Sequence, residues 1–210
     1  MSTETAAPAP EATNPDLPAN PTFWNYVGYW FPHLVAFGYA LVILAAISTQ
    51  FIGTDMPCPL CVLQRMAMML IGIAAIWMVG QARKGMLTLA AYARSYGLMI
   101  VAAMLGATMS TRQIELHILP GDAGYGDAVL GLHLYTWALI TFIVVIAYSA
   151  IMLMFFKPTL PVAPSGTAAL WISRILVWAF IIIIIANVVL SFAEEGFAWY
   201  LPDDPTGYRL

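Results

Sequence analysis

Residues 56–65 read Met-Pro-Cys-Pro-Leu-Cys-Val-Leu-Gln-Arg and connect the first long apolar segment of the chain to the second. This stretch holds both cysteines of the sequence, Cys58 and Cys61. Because proline is favoured in the first turn of a helix, Pro57 and Pro59 predict that Cys58 lies in the first turn of the second apolar helix. Free N–H groups and the helix dipole stabilise a thiolate there, so the pattern favours a reactive thiol pair.

Arg65 lies four residues after Cys61, so the two side chains share one face of the predicted helix. An arginine inside a membrane helix is costly and usually serves a function, although it can also extend to the interface. The pair itself has an alternative as an inert C-x-x-C motif. Taken together, the residues favour a redox site that faces an electron acceptor in the membrane.

The composition predicts a polytopic, all-α membrane protein. The chain is 61% hydrophobic and 9% charged, whereas soluble domains are about a quarter charged. Helices satisfy their own backbone hydrogen bonds in lipid, and the short alternating segments of a β-barrel are absent from the sequence. Five segments have the length of about 20 residues that a bilayer requires. They lie approximately at residues 31–52, 61–80, 95–112, 132–156 and 170–192.

The basic residues indicate an orientation in the membrane. Arg83, Lys84 and Arg94 lie between spans two and three, and Lys157 and Arg174 flank the link between spans four and five. The positive-inside rule makes these loops cytoplasmic, with the N-terminus cytoplasmic and the C-terminus periplasmic. The cysteines then face the outside, which is the oxidising compartment of bacteria.

Four regions follow from these patterns. Residues 1–22 are rich in Ala, Pro and Thr, lack Lys and Arg, and are predicted to be a disordered tail. Residues 23–156 form a four-helix membrane domain, residues 157–192 a loop and fifth transmembrane helix, and residues 193–210 an acidic outer tail. The domain opens with aromatic side chains that we expect at the membrane interface, in a short surface helix. They are Phe23, Trp24, Tyr26, Tyr29 and Trp30. The acidic side chains assigned to the outer tail are Glu194, Glu195, Asp203 and Asp204. No nucleic-acid signature is present.

The chain resembles the disulfide bond formation protein B (DsbB) family over roughly residues 30–155. The resemblance rests on motifs at the outer ends of the spans. These are Cys58-Pro-Leu-Cys61 with Gln64-Arg65, Arg112-Gln113, Leu119-Pro120, and Gly131-Leu132 with Trp137. It implies a four-helix bundle in the bacterial inner membrane, here with one additional C-terminal helix. It also implies a thiol:quinone oxidoreductase that passes electrons from periplasmic thiols to ubiquinone or menaquinone in protein disulfide formation.

The resemblance also implies roles for individual residues. Cys58 and Cys61 would be the redox pair nearest the quinone, and Arg65 would lie beside a quinone carbonyl. Family members typically carry a second cysteine pair in the second outer loop, which receives electrons from a soluble thioredoxin-fold oxidase, and this loop has none. A periplasmic thioredoxin-fold protein or another thiol donor would therefore reach Cys58 and Cys61 directly. The alternative is a non-catalytic DsbB-like subunit of a larger membrane complex.

The histidines allow several interpretations. His117 and His133 bracket the second outer loop, and either could simply hydrogen-bond loop backbone. With Cys58 and Cys61 they could form a zinc site, although their spacing is far from a finger pattern, or they could ligate haem. His133 is also a candidate to bind or tune a quinone head-group. His33, at the other end of span one, is expected at the membrane interface.

Overall fold

The computed structural model describes residues 14–52, 56–122, 124–126, 128–198, 200–202 and 207–208. The elements in chain order are α1 (Phe23–Ile52), α2 (Pro59–Arg83), α3 (Leu89–Leu116), β1 (Ala128–Val129), β2 (Leu132–His133), α4 (Leu134–Met154), α5 (Phe156–Thr159), α6 (Thr167–Glu195) and a 3-10 turn (Gly196–Ala198). Among the described residues, five helices (α1, α2, α3, α4 and α6) are long and apolar enough to cross a membrane. This confirms the prediction of an all-α polytopic membrane protein.

Helices α1, α2, α3 and α6 extend beyond the segments predicted from hydropathy, whereas α4 lies within the predicted segment 132–156. α1 begins at Phe23, so the aromatic cluster predicted to form a separate surface helix is instead the start of α1. α3 begins at Leu89, where Thr88 Oγ1 accepts a hydrogen bond from Ala91 N at 3.1 Å. Hydropathy marks apolar residues, whereas caps and backbone hydrogen bonds determine where a helix ends, which explains the difference.

Part of the segment predicted to be a disordered tail makes specific contacts with the loop between α2 and α3. Asn14 Nδ2 donates to Leu87 O at 2.9 Å, and Asp16 Oδ2 accepts from Leu89 N at 3.1 Å. Residues 1–13 of that tail, and Asp203 and Asp204 of the predicted outer tail, lie outside the described residues.

Helices α1 to α4 pack as a four-helix bundle. α3 contacts both α2 and α4, and α1 contacts α2. α1 and α4 meet through aromatic rings, with the Tyr39 and Phe142 centroids 6.1 Å apart. Gly106 of α3 lies directly against the buried Phe142 ring, so α3 and α4 approach closely where no side chain intervenes.

α6 packs on the outside of this bundle against α1 and α2. Gly72 of α2 lies against the Phe180 ring, at a spot where any Cβ would overlap that ring. Nearer the start of α6, Ser173 Oγ accepts from Tyr29 Oη at 2.9 Å and lies 2.7 Å from His33 Nε2. His33 is therefore buried between α1 and α6, and its position at the membrane interface stays a prediction. Neither hydropathy nor charge reveals that the fifth helix covers it.

The two ends of the bundle carry different features. At one end, the start of α1 meets the segment before α6, where Asn25 Nδ2 donates to Leu160 O at 2.9 Å. The basic loop between α2 and α3 lies at this end too. At the other end, the cysteine stretch meets the end of α3 and the loop after it. Tyr125 Oη donates to Met56 O there. The fold thus gathers the cysteines and the loop between α3 and α4 at one end of the helices.

Candidate redox site

Cys58 caps the N-terminus of α2. Its backbone is extended, with φ −71° and ψ 161°, and its Sγ accepts a hydrogen bond from Cys61 N at 3.2 Å. Pro59 is the first helical residue. Cys58 therefore lies one position before the first turn in which the sequence analysis placed it. Proline explains this, because it fits the first helical position and disfavours helical backbone in the residue before it.

The two thiols lie side by side. The Sγ atoms of Cys58 and Cys61 are 2.7 Å apart, and both cysteines are free. Cys58 is buried, whereas Cys61 is partly exposed. This juxtaposition is what reversible dithiol–disulfide exchange within a single C-x-x-C motif requires.

Gln113, near the end of α3, donates hydrogen bonds to both sulfurs. Its Nε2 lies 3.2 Å from Cys58 Sγ and 3.5 Å from Cys61 Sγ. Its Oε1 accepts from Gln64 Nε2 at 2.7 Å, which fixes the amide with its N–H groups toward the cysteines. Because N–H donors favour a charged acceptor over a neutral one, this arrangement stabilises a thiolate.

Arg65 is buried against α1 and does not extend to the surface. It is 7% exposed, and its Nη1 donates to Gln50 Oε1 at 3.5 Å. Its Nη2 donates to Ala46 O at 3.4 Å. Among the described residues these two long contacts leave other guanidinium N–H groups of Arg65 without a hydrogen-bond acceptor, in a buried setting one helical turn beyond Cys61.

His133 lies at the end of the loop between α3 and α4, as the residue that precedes α4. Its ring stacks on Tyr135 with the centroids 5.2 Å apart, and its Nδ1 lies 3.1 Å from Gly126 O. The structure therefore places His133 among loop residues, while Arg65 lies between α2 and α1. The two residues predicted to bind the cofactor have different surroundings.

His117 stacks on the same Tyr135 ring, and its Nδ1 lies 3.1 Å from Asp122 Oδ1. The Gly124 N–H and the His117 side chain lower the pKa of the exposed Asp122 carboxyl below its usual value. In the part of the chain that the structure describes, no three His, Cys, Asp or Glu side chains are grouped to hold a metal ion. The proposed zinc set thus gains no support from the geometry.

Sequence reasoning assigned no site role to the glutamines around the cysteines. Gln113 is 1% exposed and Gln64 5% exposed, so both are amides buried in otherwise apolar spans. A glutamine in a membrane segment is a signal of interhelical hydrogen bonding. The sequence alone could have raised this signal, but it could not have named the sulfurs as partners.

The fold and this site define a class: a multi-pass helical membrane protein with a pair of adjacent thiols at the end of its bundle. Comparison with known proteins narrows the class. The sequence model of the family described as Disulfide bond formation protein DsbB matches residues 29–127. A Chromobacterium violaceum protein named Disulfide bond formation protein B is 37% identical over 89 residues, which are 42% of this chain and 51% of that protein. No solved structure matches the chain. Residues 29–127 of the chain therefore resemble the DsbB family.

The shared region covers only part of the protein. The family match runs from α1 into the outer loop and stops before α4, whereas the resemblance noted in the sequence was expected to continue to about residue 155. The chain spans about half the length of the curated relative, at 51%. α6 lies wholly outside the matched residues.

Proposed function

We propose that this protein is a membrane thiol:quinone oxidoreductase that passes electrons from periplasmic thiols through Cys58 and Cys61 to a membrane quinone. The observation that carries the proposal is the pair of adjacent thiols, 2.7 Å apart, at the start of a membrane helix. Gln113 donates to both sulfurs, and the buried Arg65 lies one turn further along the same helix. The match of residues 29–127 to the DsbB family model supports thiol chemistry at this pair.

The thiol half of the reaction is disulfide exchange. A thiolate of the reduced donor attacks the Cys58–Cys61 disulfide, and one of the two cysteines leaves as a thiolate. The second donor thiol then displaces the remaining cysteine from the mixed disulfide. The donor departs oxidised, and Cys58 and Cys61 together hold the two electrons and two protons that it lost.

The residues of the site fit a quinone as the acceptor. A bound quinone supplies a two-electron acceptor that leaves as quinol when the Cys58–Cys61 disulfide re-forms. Cys61 is the more exposed cysteine and shares a helix face with Arg65, so we assign it the reaction with the acceptor. The free N–H groups of Arg65 would hold a carbonyl oxygen and stabilise negative charge there, where water is scarce. Ubiquinone and menaquinone both present such carbonyls, and a role for His133 toward the head-group stays a prediction.

We place the protein in the bacterial inner membrane, with the cysteine end of the bundle in the periplasm. The charge distribution of the loops supports this orientation. The second outer loop contains no relay cysteines. We therefore propose that a periplasmic thioredoxin-fold protein, or another thiol donor, reacts directly with Cys58 and Cys61.

Steady-state quinone reduction by the purified protein tests the proposal, with a reduced thioredoxin-fold protein as donor and a short-chain ubiquinone as acceptor. We expect turnover that Cys58→Ser and Cys61→Ser each abolish. Arg65→Ala should lower kcat/KM for quinone by about a hundredfold, the size of a lost oxyanion donor. Arg112→Ala is the matched control, because Arg112 is exposed and forms a 3.8 Å ion pair with Glu115, which is exposed too.

The same assay in sealed right-side-out vesicles tests the orientation, since a donor protein added outside cannot cross the membrane. We expect quinone reduction when the donor protein is added outside right-side-out vesicles. Quinone reduction that occurs only in inverted vesicles would contradict the orientation. Absence of turnover in detergent, with both cysteines still open to alkylation, would instead favour the DsbB-like subunit of a larger complex. Partner proteins that co-purify in a fixed ratio would support that second function.

A further inference from the structure

Two side chains of opposite charge are buried at the cysteine end of the bundle. Among the described Lys, Arg, Asp and Glu residues, two are buried. They are Arg65, which is 7% exposed, and Glu194, which is 1% exposed. The sequence analysis assigned Glu194 to the acidic outer tail, and this is wrong, because Glu194 lies in the last turn of α6. Because α6 continues beyond its apolar run, Glu194 is part of the helix, and its side chain is buried against the bundle.

Gln50 of α1 connects these two charges. Its Nε2 donates to Glu194 Oε1 at 2.5 Å and to Tyr208 Oη at 3.1 Å. Its Oε1 accepts from Arg65 Nη1 at 3.5 Å. Gln50 is 4% exposed, so solvent does not compete for these hydrogen bonds.

The chemistry of the three groups fixes the orientation of the amide. A carboxylate only accepts hydrogen bonds, and a guanidinium only donates them. Gln50 satisfies both only with its NH2 group toward Glu194 and its carbonyl oxygen toward Arg65. If the amide were reversed, its NH2 group would face the guanidinium donors of Arg65, and its carbonyl oxygen would face the carboxylate of Glu194.

We propose that Glu194 is a positioning residue that acts through Gln50 on Arg65, so that the fifth helix completes the redox site. The proposal rests on the proposed function, in which Arg65 holds the acceptor. A buried charge is costly unless it is compensated and hydrogen-bonded. Glu194 supplies the compensating carboxyl and orients the amide that receives the guanidinium. Tyr208, from the C-terminal segment, accepts a second hydrogen bond from the same Nε2 atom of Gln50.

Glu194→Gln tests this role in the purified full-length protein. A neutral amide at 194 no longer dictates the orientation of Gln50, so Arg65 loses its fixed acceptor. We expect KM for the short-chain ubiquinone to rise about tenfold, within the range of coupling between contacting residues, with KM for the thiol donor unchanged. Glu195→Gln is the matched control, because it removes the same charge from the next, partly exposed position of α6.

A double-mutant cycle tests the route through Gln50. If Glu194 acts through this amide, Gln50→Leu raises KM for the quinone, and adding Glu194→Gln to it produces little further change. Equal kinetics of Glu194→Gln and the wild-type protein would overturn the inference. Additive effects of the two substitutions would overturn the route through Gln50.

A second double-mutant cycle measures thermal unfolding. It needs no quinone, so its result does not depend on the proposed function. Arg65→Met and Glu194→Gln should each lower Tm, because each leaves the opposite buried group uncompensated. The double variant should melt about 4 °C above the value that additivity predicts. If the wild-type protein reduces no quinone, the proposed function fails, and this cycle still decides the coupling. A Tm above additivity supports it, and strict additivity overturns it.

Discussion

Gln113 illustrates how one side chain can control the reactivity of the cysteine pair. It donates to both sulfurs from a helix that is distant in sequence, and Gln64 holds its amide in the productive orientation. A hydrogen bond to a charged group contributes about 1.5–3 kcal/mol. Such a donor therefore favours the thiolate, which is the reactive form of cysteine.

Gln113→Leu keeps the volume of the side chain and removes its donor. We expect alkylation of the reduced cysteines by iodoacetamide at neutral pH to slow about tenfold, because the thiolate loses charge-assisted hydrogen bonds. Rates can be followed by mass spectrometry of the two cysteines. Ser110→Ala is the matched control, since Ser110 is buried on the same helix and its Oγ has no hydrogen-bond partner among the described residues. Unchanged alkylation in Gln113→Leu would contradict this role.

The sequence was sufficient to identify Cys58, Cys61 and Arg65 as candidates, because their spacing along a single helix carries the information. It was not sufficient for Gln113 or Glu194. Gln113 is 52 residues from Cys61, and Glu194 is 144 residues from Gln50. Their contacts depend on how helices pack, which local spacing does not encode. Glu194 was wrongly assigned to the outer tail because a charged residue after an apolar run usually indicates the end of a span.

At the scale of elements, close packing at glycines explains how α6 joins the bundle. Hydropathy predicted that five spans exist, and the structure has them, but hydropathy does not reveal which faces meet. Gly72 of α2 admits the Phe180 ring of α6, and Phe180 is fully buried as a result. A small residue that lets helices approach is a common device in membrane proteins.

Gly72→Ala should loosen this contact. The added Cβ would overlap the Phe180 ring, and overpacking of this kind costs about 1–3 kcal/mol. We therefore expect a lower Tm in detergent. Gly80→Ala is the matched control on the same helix, because a Cβ at Gly80 meets no atom within 4 Å. That variant should be neutral or gain up to about 1 kcal/mol from helix propensity. Equal Tm values for the two variants would show that α6 does not depend on this packing.

At the scale of the whole molecule, the protein combines a region that matches the DsbB family model with helices that lie outside that match. The family match covers residues 29–127, which include the cysteines, Arg65, Gln50 and Gln113. α6 lies outside the match, yet its last turn contacts Gln50 beside Arg65. The bundle therefore places the thiol pair, the buried charges and the second outer loop at one end. The composition predicted the number of spans, and the charges of the loops predicted an orientation. The convergence of α1, α2, α3 and α6 on one site became visible only in the three-dimensional structure.

The central claim is that Cys58 and Cys61 deliver their electrons to a quinone. A single-turnover measurement tests it without any assumption about the donor. Purified protein is reduced, freed of reductant and mixed anaerobically with one equivalent of a short-chain ubiquinone. Free thiols are then determined by maleimide labelling, and quinol by absorbance. The proposed function predicts the loss of about two thiols for each quinol formed, as a dithiol–disulfide couple transfers two electrons. Cys58→Ser and Cys61→Ser should form no quinol. Thiols that remain reduced in the presence of quinone, or quinol that forms equally in the serine variants, would contradict the claim.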